Sequence, residues 1–240
     1  MNVFVLTGAG VSAESGLATF RGKDGMWRRH SPFDLATPQA FKRDPDLVLS
    51  FYDARRRALL AALPNDAHRA LARLETELSS RGITLFLCTQ NVDDLHERAG
   101  SQEVTHMHGE LRKARCTACD QTLAWDGDMP RGAACPRCGA SGSLRPHVVW
   151  FEEMPLHMER IDAMLDRADL FVAIGTSGTV HPASRFVEQA RAAGASTVEI
   201  NLQPYGRGAA FDERRIGPAT RAVPAWVGEV LAKLDSAGNL

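Results

Sequence analysis

Little in this chain points to a membrane or to a polyanion. Its 240 residues carry 28 basic and 29 acidic side chains, a formal net charge of −1. That balance argues against a general nucleic-acid or anionic-membrane binder. No apolar run approaches the roughly eighteen residues that a membrane span needs. Met1-Asn2 leads straight into an apolar stretch, without a basic n-region, an h-region or a cleavage site, so the expectation is a soluble, cytoplasmic protein. Repeats and low-complexity segments are missing as well. Cysteine is sparse, five residues in all, and a chain this long can bury its core without disulfides. Composition is that of an ordinary globular protein, compatible with one large domain or a domain with a small satellite.

What is present begins at the first residues, MNVFVLTGAGVSAESGLATFRG. The apolar run Val3 to Leu6 reads as a strand. Gly8-Ala9-Gly10 reads as a tight turn, and the small residues after it as a helix N-terminus. The spacing Gly8, Gly10, Ala13 is G-x-G-x-x-A, in which the second glycine lets backbone approach a phosphate and Ala13 permits close helix–strand packing. Helix N–H groups then face the anion. A dinucleotide unit of the usual kind carries a second strand and a ribose-binding acid about 20 residues on. Here that distance falls in Phe20-Arg21-Gly22-Lys23-Asp24-Gly25-Met26-Trp27, which has no strand character.

Further along, 23–63 reads as loop and helix. An amphipathic helix capped by Asn65 or Asp66 carries His68, Leu71, Leu74 and Leu78 on one face and stops at Gly82. Buried strands are expected at 83–89, 170–174 and 197–200, with a shorter one at 103–106. Helices are expected at 158–167 and 183–193, and the tail 224–234 reads as a helix started by Pro224. Strands alternating with helices predict an α/β fold, a doubly wound parallel sheet. Gly8, Gln90, Gly175 and Asn201 all fall at strand ends, where such sheets bind ligands.

Four of the cysteines form two C-x-x-C pairs, Cys116/Cys119 and Cys135/Cys138, fifteen residues apart. Four thiolates at this zinc-ribbon spacing suit one structural, tetrahedral Zn²⁺ per chain. Cys88 sits within an apolar run and reads as a small buried hydrophobe. A ribbon also raises the possibility of a binding module, with Arg112, Lys113 and Arg115 beside it. Among polar residues, His108 next to a glycine can act as a base, while Asn91 and Asp93 suit ribose hydroxyls or a water. His106 stands two residues from His108, and either can equally be a hydrogen-bonded core residue.

Taken in order, Gly8-Ala9-Gly10-Val11-Ser12-Ala13-Glu14-Ser15-Gly16 with Phe20-Arg21, Thr89-Gln90-Asn91-Val92-Asp93, His108-Gly109-Glu110, the four cysteines, Gly175-Thr176-Ser177 and Asn201-Leu202 resemble the signature of the sirtuins. These are NAD-dependent protein lysine deacylases, and the likeness is strongest to the bacterial class III, CobB-like type. The resemblance implies a discontinuous Rossmann-type domain (1–28, 64–111, 144–240). A helical module (29–63) and a zinc module (112–143) form its small domain. It implies NAD contacts from Gly8, Ala9, Gly10, Ser12, Ala13, Glu14, Phe20, Arg21 and Trp27. Gln90, Asn91 and Asp93 lie on the nicotinamide side. Gly175, Thr176, Ser177, Asn201, Leu202, Gln203 and Ala219 line the adenosine half.

In the family chemistry the acyl oxygen attacks the nicotinamide ribose carbon and nicotinamide leaves. The base matching His108 deprotonates a ribose hydroxyl, and Asn91 assists. The products are lysine, nicotinamide and O-acyl-ADP-ribose. Tyr52 and Arg55, three apart on a helix and so on one face, match the pair by which class III members hold an acyl carboxylate. A guanidinium forks onto such a group. The competing reading of Arg55-Arg56-Arg57 is a solvated basic face. Ala36 implies a roomy acyl pocket, giving desuccinylase, demalonylase and deacetylase activity. Val149, Trp150 and Phe151 match the segment that pairs with substrate backbone. The family usually has glycine after that phenylalanine, whereas this chain has Glu152. Implied partners are acyl-lysine proteins, with neither nucleic acid nor membrane; the oligomeric state stays open, a monomer being compatible. An NAD-linked oxidoreductase and a non-catalytic zinc-ribbon protein are the competing functions, the first disfavoured by the missing acid.

Overall fold

The computed structural model describes residues 1–20, 25–26, 31–204 and 211–237. Two of the expected cofactor residues, Arg21 and Trp27, lie outside that set. Six parallel strands form the main sheet: β1 (Asn2–Thr7), β2 (Thr84–Thr89), β3 (Val104–His106), β7 (Leu170–Ile174), β8 (Ser196–Asn201) and β9 (Glu213–Ile216). Their order is β3-β2-β1-β7-β8-β9, with the direction of winding reversed between β1 and β7. A second, antiparallel sheet pairs β5 (Thr122–Ala124), β4 (Gly109–Cys116) and β6 (Leu144–Val148).

The central strands β1, β2 and β7 are apolar on both faces because helices cover both, whereas the edge strand β9 is polar. Along β1, Val3 and Val5 point to one side and Phe4 and Leu6 to the other, as the two-residue strand period requires. Val3 and Val5 meet Leu71, Leu74 and Leu78 of α4 (Asp66–Ser80) together with Trp226, Val227 and Leu231 of α8 (Ala219–Ala237). Phe4 and Leu6 meet α6 (Met158–Leu165), α7 (Phe186–Ala192) and Cys88. Cys88 is fully buried, which pushes its thiol pKa well up, in line with its reading as a hydrophobe.

Two local expectations fail for identifiable reasons. No α-helix follows the glycine-rich turn; two short 3-10 turns, Ala9–Val11 and Ala13–Ser15, end at Gly16 with φ +87°. The Asn65 amide ties the segment crosswise by donating to the Val11 carbonyl at 2.9 Å and to Ser15 Oγ at 3.0 Å, and Ala13 is exposed rather than packed on a strand. The last helix begins at Ala219, so Pro224 lies inside it. Glu14 stabilises the new start, its carboxylate accepting from the Thr220 N–H (3.0 Å) and hydroxyl (2.8 Å), as an acid at a helix N-terminus does.

Among the described residues between β1 and α4 are three α-helices, α1 (Pro32–Leu35), α2 (Pro38–Arg43) and α3 (Pro45–Ala61). Each starts with proline after a Ser, Thr or Asp cap, the combination expected at helix N-termini. The arginine triplet on α3 is not one solvated face. Arg57 pairs with exposed Asp128. Arg56 is 1% exposed, bonded to Asp53 at 2.6 Å and to the carbonyls of Leu111 and Gly127. Asp53 in turn accepts from Met129 N–H, so this buried pair ties α3 to the cysteine module.

Candidate active site

The sheet reverses direction between β1 and β7, and open α/β sheets bind ligands in the crevice at such a point. The loops after these two strands touch. A Cβ on Gly8 would stand 2.9 Å from the Gly175 carbonyl, and one on Gly10 2.7 Å from Gly175 Cα. Gly175 itself has φ +62°. Gly10 N–H already donates to the Gly175 carbonyl at 2.8 Å, and Gly8 N–H to Ile174. The glycines therefore serve loop-on-loop packing first, and the Gly10 N–H is not left over for a phosphate. Gly8 is extended (φ −135°); it is needed for closeness and not for a left-handed turn.

A polar chain continues across the crevice. Gln90 Nε2 donates to Thr176 Oγ1 (2.8 Å), and Asn201 Nδ2 to the Thr176 carbonyl (2.7 Å). Ser177, Leu202 and Gln203 are exposed at the rim. Ala219 is half-buried at the first turn of α8. Below Gln90 lies a buried cluster. Asn65 N–H donates to His68 Nδ1, which places the neutral ring's proton on Nε2, facing Ser12 Oγ at 3.3 Å. Ser12 also accepts from Asn91 Nδ2 (3.2 Å) and donates to Asp93 Oδ2 (3.0 Å), so its hydroxyl is fully used. Burial pushes His68 down to about 4, and it raises the carboxyl of Asp93 despite the Ser12 hydrogen bond.

The two histidines that sequence could not separate differ sharply. For His106, burial alone would lower the pKa, but the Glu97 carboxylate at 2.6 Å outweighs it, so the ring sits above its ordinary value. His106 Nδ1 faces the Asn91 carbonyl at 3.3 Å; the ring is a structural clamp on Asn91. His108 is half-buried at the start of β4. Its Nδ1–H donates to the Gln90 carbonyl at 3.0 Å, which leaves the Nε2 lone pair free, and burial lowers its pKa. Gly109 beside it has φ +77°, and a Cβ there would lie 2.2 Å from the His147 carbonyl.

His108 opens into a cavity of about 310 Å³ that also takes in Ala36, Tyr52, Arg55, Val149 and Trp150. A second cavity of about 270 Å³, against Ala9, Ala18 and Asp93, shares Phe20, Arg55, Asn91 and Val92 with the first. Asn91 thus stands where the two meet. Trp150 Nε1 donates to Tyr52 Oη at 3.0 Å. Arg55 stacks 4.4 Å from the Phe20 ring centroid, and among the described residues no carboxylate lies within ion-pair distance of it.

Residues 8–182 match the Sir2 family. A protein of Caulobacter vibrioides named NAD-dependent protein deacylase is 57% identical over 234 residues, 98% of each chain. The protein of that name from Escherichia coli K12 is 52% identical over 236 residues, 98% of this chain and 84% of its own. Among solved structures, a Sir2 homolog–NAD complex superposes with TM-score 0.86 at 42% identity, covering 97% of this chain and 90% of that one. The chain belongs to the Sir2 family.

Other features of this Sir2 chain follow from its geometry. The four cysteine sulfurs lie within 4.8 Å of one another, and the Cys116–Cys138 and Cys119–Cys135 pairs are 3.8 and 3.9 Å apart. A tetrahedron with Zn–S bonds of about 2.3 Å has edges of about 3.8 Å, so the set fits a closed, structural zinc. The N–H groups of Val149, Trp150 and Phe151 are already taken by the His108 carbonyl, the Glu153 carboxylate and the Ala36 carbonyl. The Trp150 carbonyl accepts in turn from Glu153 N–H at 3.1 Å.

Glu152 adopts φ +75°, the left-handed conformation that glycine enters without strain and other residues at a cost of roughly 1 kcal/mol. Its side chain is exposed. Glu152→Gly is expected to raise stability by about 0.5–1 kcal/mol, part of the relief being offset by the freer unfolded chain. A thermal melt checks this, and a lowered Tm would contradict it. The sequence reading gives no role to Thr7, Thr89 and His96, which support Asn91 from beneath. Thr7 Oγ1 bonds Thr89 Oγ1 (2.8 Å) and His96 Nε2 (3.0 Å), and Asn91 N–H donates to Thr89 Oγ1. Polar residues at the buried carboxyl end of adjacent strands were the available signal.

Proposed function

We propose that this chain is an NAD-dependent protein lysine deacylase that removes succinyl and malonyl as well as acetyl groups. The observation that carries the acyl choice is Arg55, a guanidinium unpaired among the described residues, in the same cavity as Tyr52 and His108. Burial pulls its pKa below the ordinary value, and Tyr52 and Asp93 work against that. A carboxylate at the end of the acyl chain would supply the missing counter-charge and take a bidentate bond.

NAD, as co-substrate, would supply the ribose to which the acyl group is transferred. The chain's own part is to position and to move a proton. Asn91 at the junction of the two cavities and Asp93 in the second of them suit ribose hydroxyls, and His108 Nε2 is the neutral base that takes a hydroxyl proton. Residues 29–63 and 112–143 act as a small domain over the crevice, which the Arg56–Asp53 link supports. A cytoplasmic setting suits four reduced thiols and a buried free Cys88.

A panel of acetyl-, malonyl- and succinyl-lysine peptides, with and without NAD, tests the reading. Nicotinamide release should need both components, and silence with every peptide would end it. Arg55→Met is expected to lower kcat/KM for the succinyl peptide by about 10- to 100-fold, the range for a lost charge-assisted pair, and to lower deacetylation far less. Equal losses on both substrates would remove the Arg–carboxylate assignment.

A further inference from the structure

Resting on the reading that Arg55 and Tyr52 receive an acyl carboxylate, we infer that Trp150 fixes the Tyr52 hydroxyl as a donor into the cavity. It is held in place for this by Arg145 and Glu153. Trp150 is thereby a specificity-determining positioning residue that acts through Tyr52. A phenol has one proton to give and two lone pairs to fill. Indole N–H can only donate, so the 3.0 Å contact makes the Tyr52 oxygen the acceptor and leaves its own proton for another partner. A carboxylate can only accept. The Tyr52 proton is retained at neutral pH, as in an ordinary phenol, and burial pushes the group further up, to about 12, against the opposing influence of Arg55 and the Trp150 bond. Accepting one bond polarises the hydroxyl and strengthens the bond it gives.

The indole cannot turn away, because it is held on several sides. Arg145 Cζ lies 3.4 Å from the Trp150 ring centroid, a cation–π contact. Glu153 Oε2 accepts from Trp150 backbone N–H at 2.8 Å. Arg145 and Glu153 form a two-pronged pair at 2.6 and 2.9 Å, and Arg145 also donates to the Val148 carbonyl. Phe41 packs on the indole at 5.2 Å between centroids. The order of control runs from Arg145–Glu153 to Trp150, then to Tyr52, and only then to the ligand.

The test compares kcat/KM for succinyl- and acetyl-lysine peptides of one sequence. Trp150→Phe keeps the ring and removes the donor. It should lower the succinyl-to-acetyl ratio about fivefold, as for a lost hydrogen bond, with the change carried by KM of the succinyl peptide. General damage to the fold would lower both substrates together and leave the ratio unmoved. In a Tyr52→Phe background the same substitution should leave the ratio where Tyr52→Phe put it. An unchanged ratio in the single variant, or an equal fall without the Tyr52 hydroxyl, overturns the inference. Glu153→Gln, which keeps the bond to Trp150 N–H and loses the charge facing Arg145, should shift the ratio the same way by about twofold; no shift would remove the clamp. Arg55→Met is run in parallel. If it leaves the ratio unaltered, the carboxylate reading falls and takes this inference with it. If its effect stands while Trp150→Phe is silent, this inference alone falls.

Discussion

His108→Ala should lower kcat/KM for acyl-lysine peptides by about 10²- to 10⁴-fold, the range for loss of a positioned general base. The stability of the variant should stay close to that of the parent, because the ring is half-buried and, among the described residues, its one hydrogen bond is to the Gln90 carbonyl. That bond fixes the tautomer: Nδ1 carries the proton and Nε2 the lone pair. Burial holds the pKa below its ordinary 6.5, so the ring is unprotonated at neutral pH. The sign of the pH dependence follows. Activity is present above the lowered pKa and is lost as pH falls through it, giving an acid limb in kcat/KM below about 6.5. Folding is linked in the same sense, since charging a buried imidazole removes stability as pH falls through that lowered value. A pH profile of the parent and a single-pH assay of the variant check both points. An acid limb above neutrality, or an active His108→Ala, would contradict the assignment.

Spacing could not tell His108 from His106, because the difference lies in partners that are distant in sequence. Glu97 reaches His106 from α5 (Leu95–Arg98), while His108 has only a carbonyl. The parallel sheet, by contrast, was legible: near-continuous apolar runs at 3–6, 83–89 and 170–174 have the length and the flanking turn residues of strands covered on both faces. The zinc spacing was legible because the ligands are local in sequence. The helix start expected after the glycine-rich turn fails, since Asn65 and Gly175 decide its shape from 54 and 165 residues away. The arginine triplet was opaque for the same reason. Neighbours of one type on a helix point in different directions, and only the fold sends Arg56 inward and Arg55 into the cavity.

Removing the metal should have the second large effect, and it should reach the acyl pocket. The fully buried core around the cysteines is small, Leu49, Ala114, Met129 and Leu144 with Cys116 and Cys135, and Phe41, Leu123, Trp125 and Ala133 pack on it only partly buried. So few apolar residues cannot offset the conformational entropy of ordering the ribbon, whereas a structural zinc contributes on the order of 10 kcal/mol to folding its own module. The module is tied to α3 by Arg56, which bonds the Gly127 carbonyl, and by Asp53, which accepts from Met129 N–H. Tyr52 and Arg55 flank Asp53 and Arg56 on that helix. Loss of the ribbon would strand the buried Arg56–Asp53 pair without its outer partners, a costly state for charged groups, and α3 would shift. Chelation to one zinc lost per chain, or Cys135→Ala, is therefore expected to lower Tm by at least about 10 °C and to cut desuccinylation more steeply than deacetylation. Metal analysis beside a thermal melt and the two-peptide assay decides it. A metal-free chain with an unchanged Tm would show that the four thiols are dispensable. Parallel losses on both peptides would show that the ribbon acts on the whole crevice and not through α3.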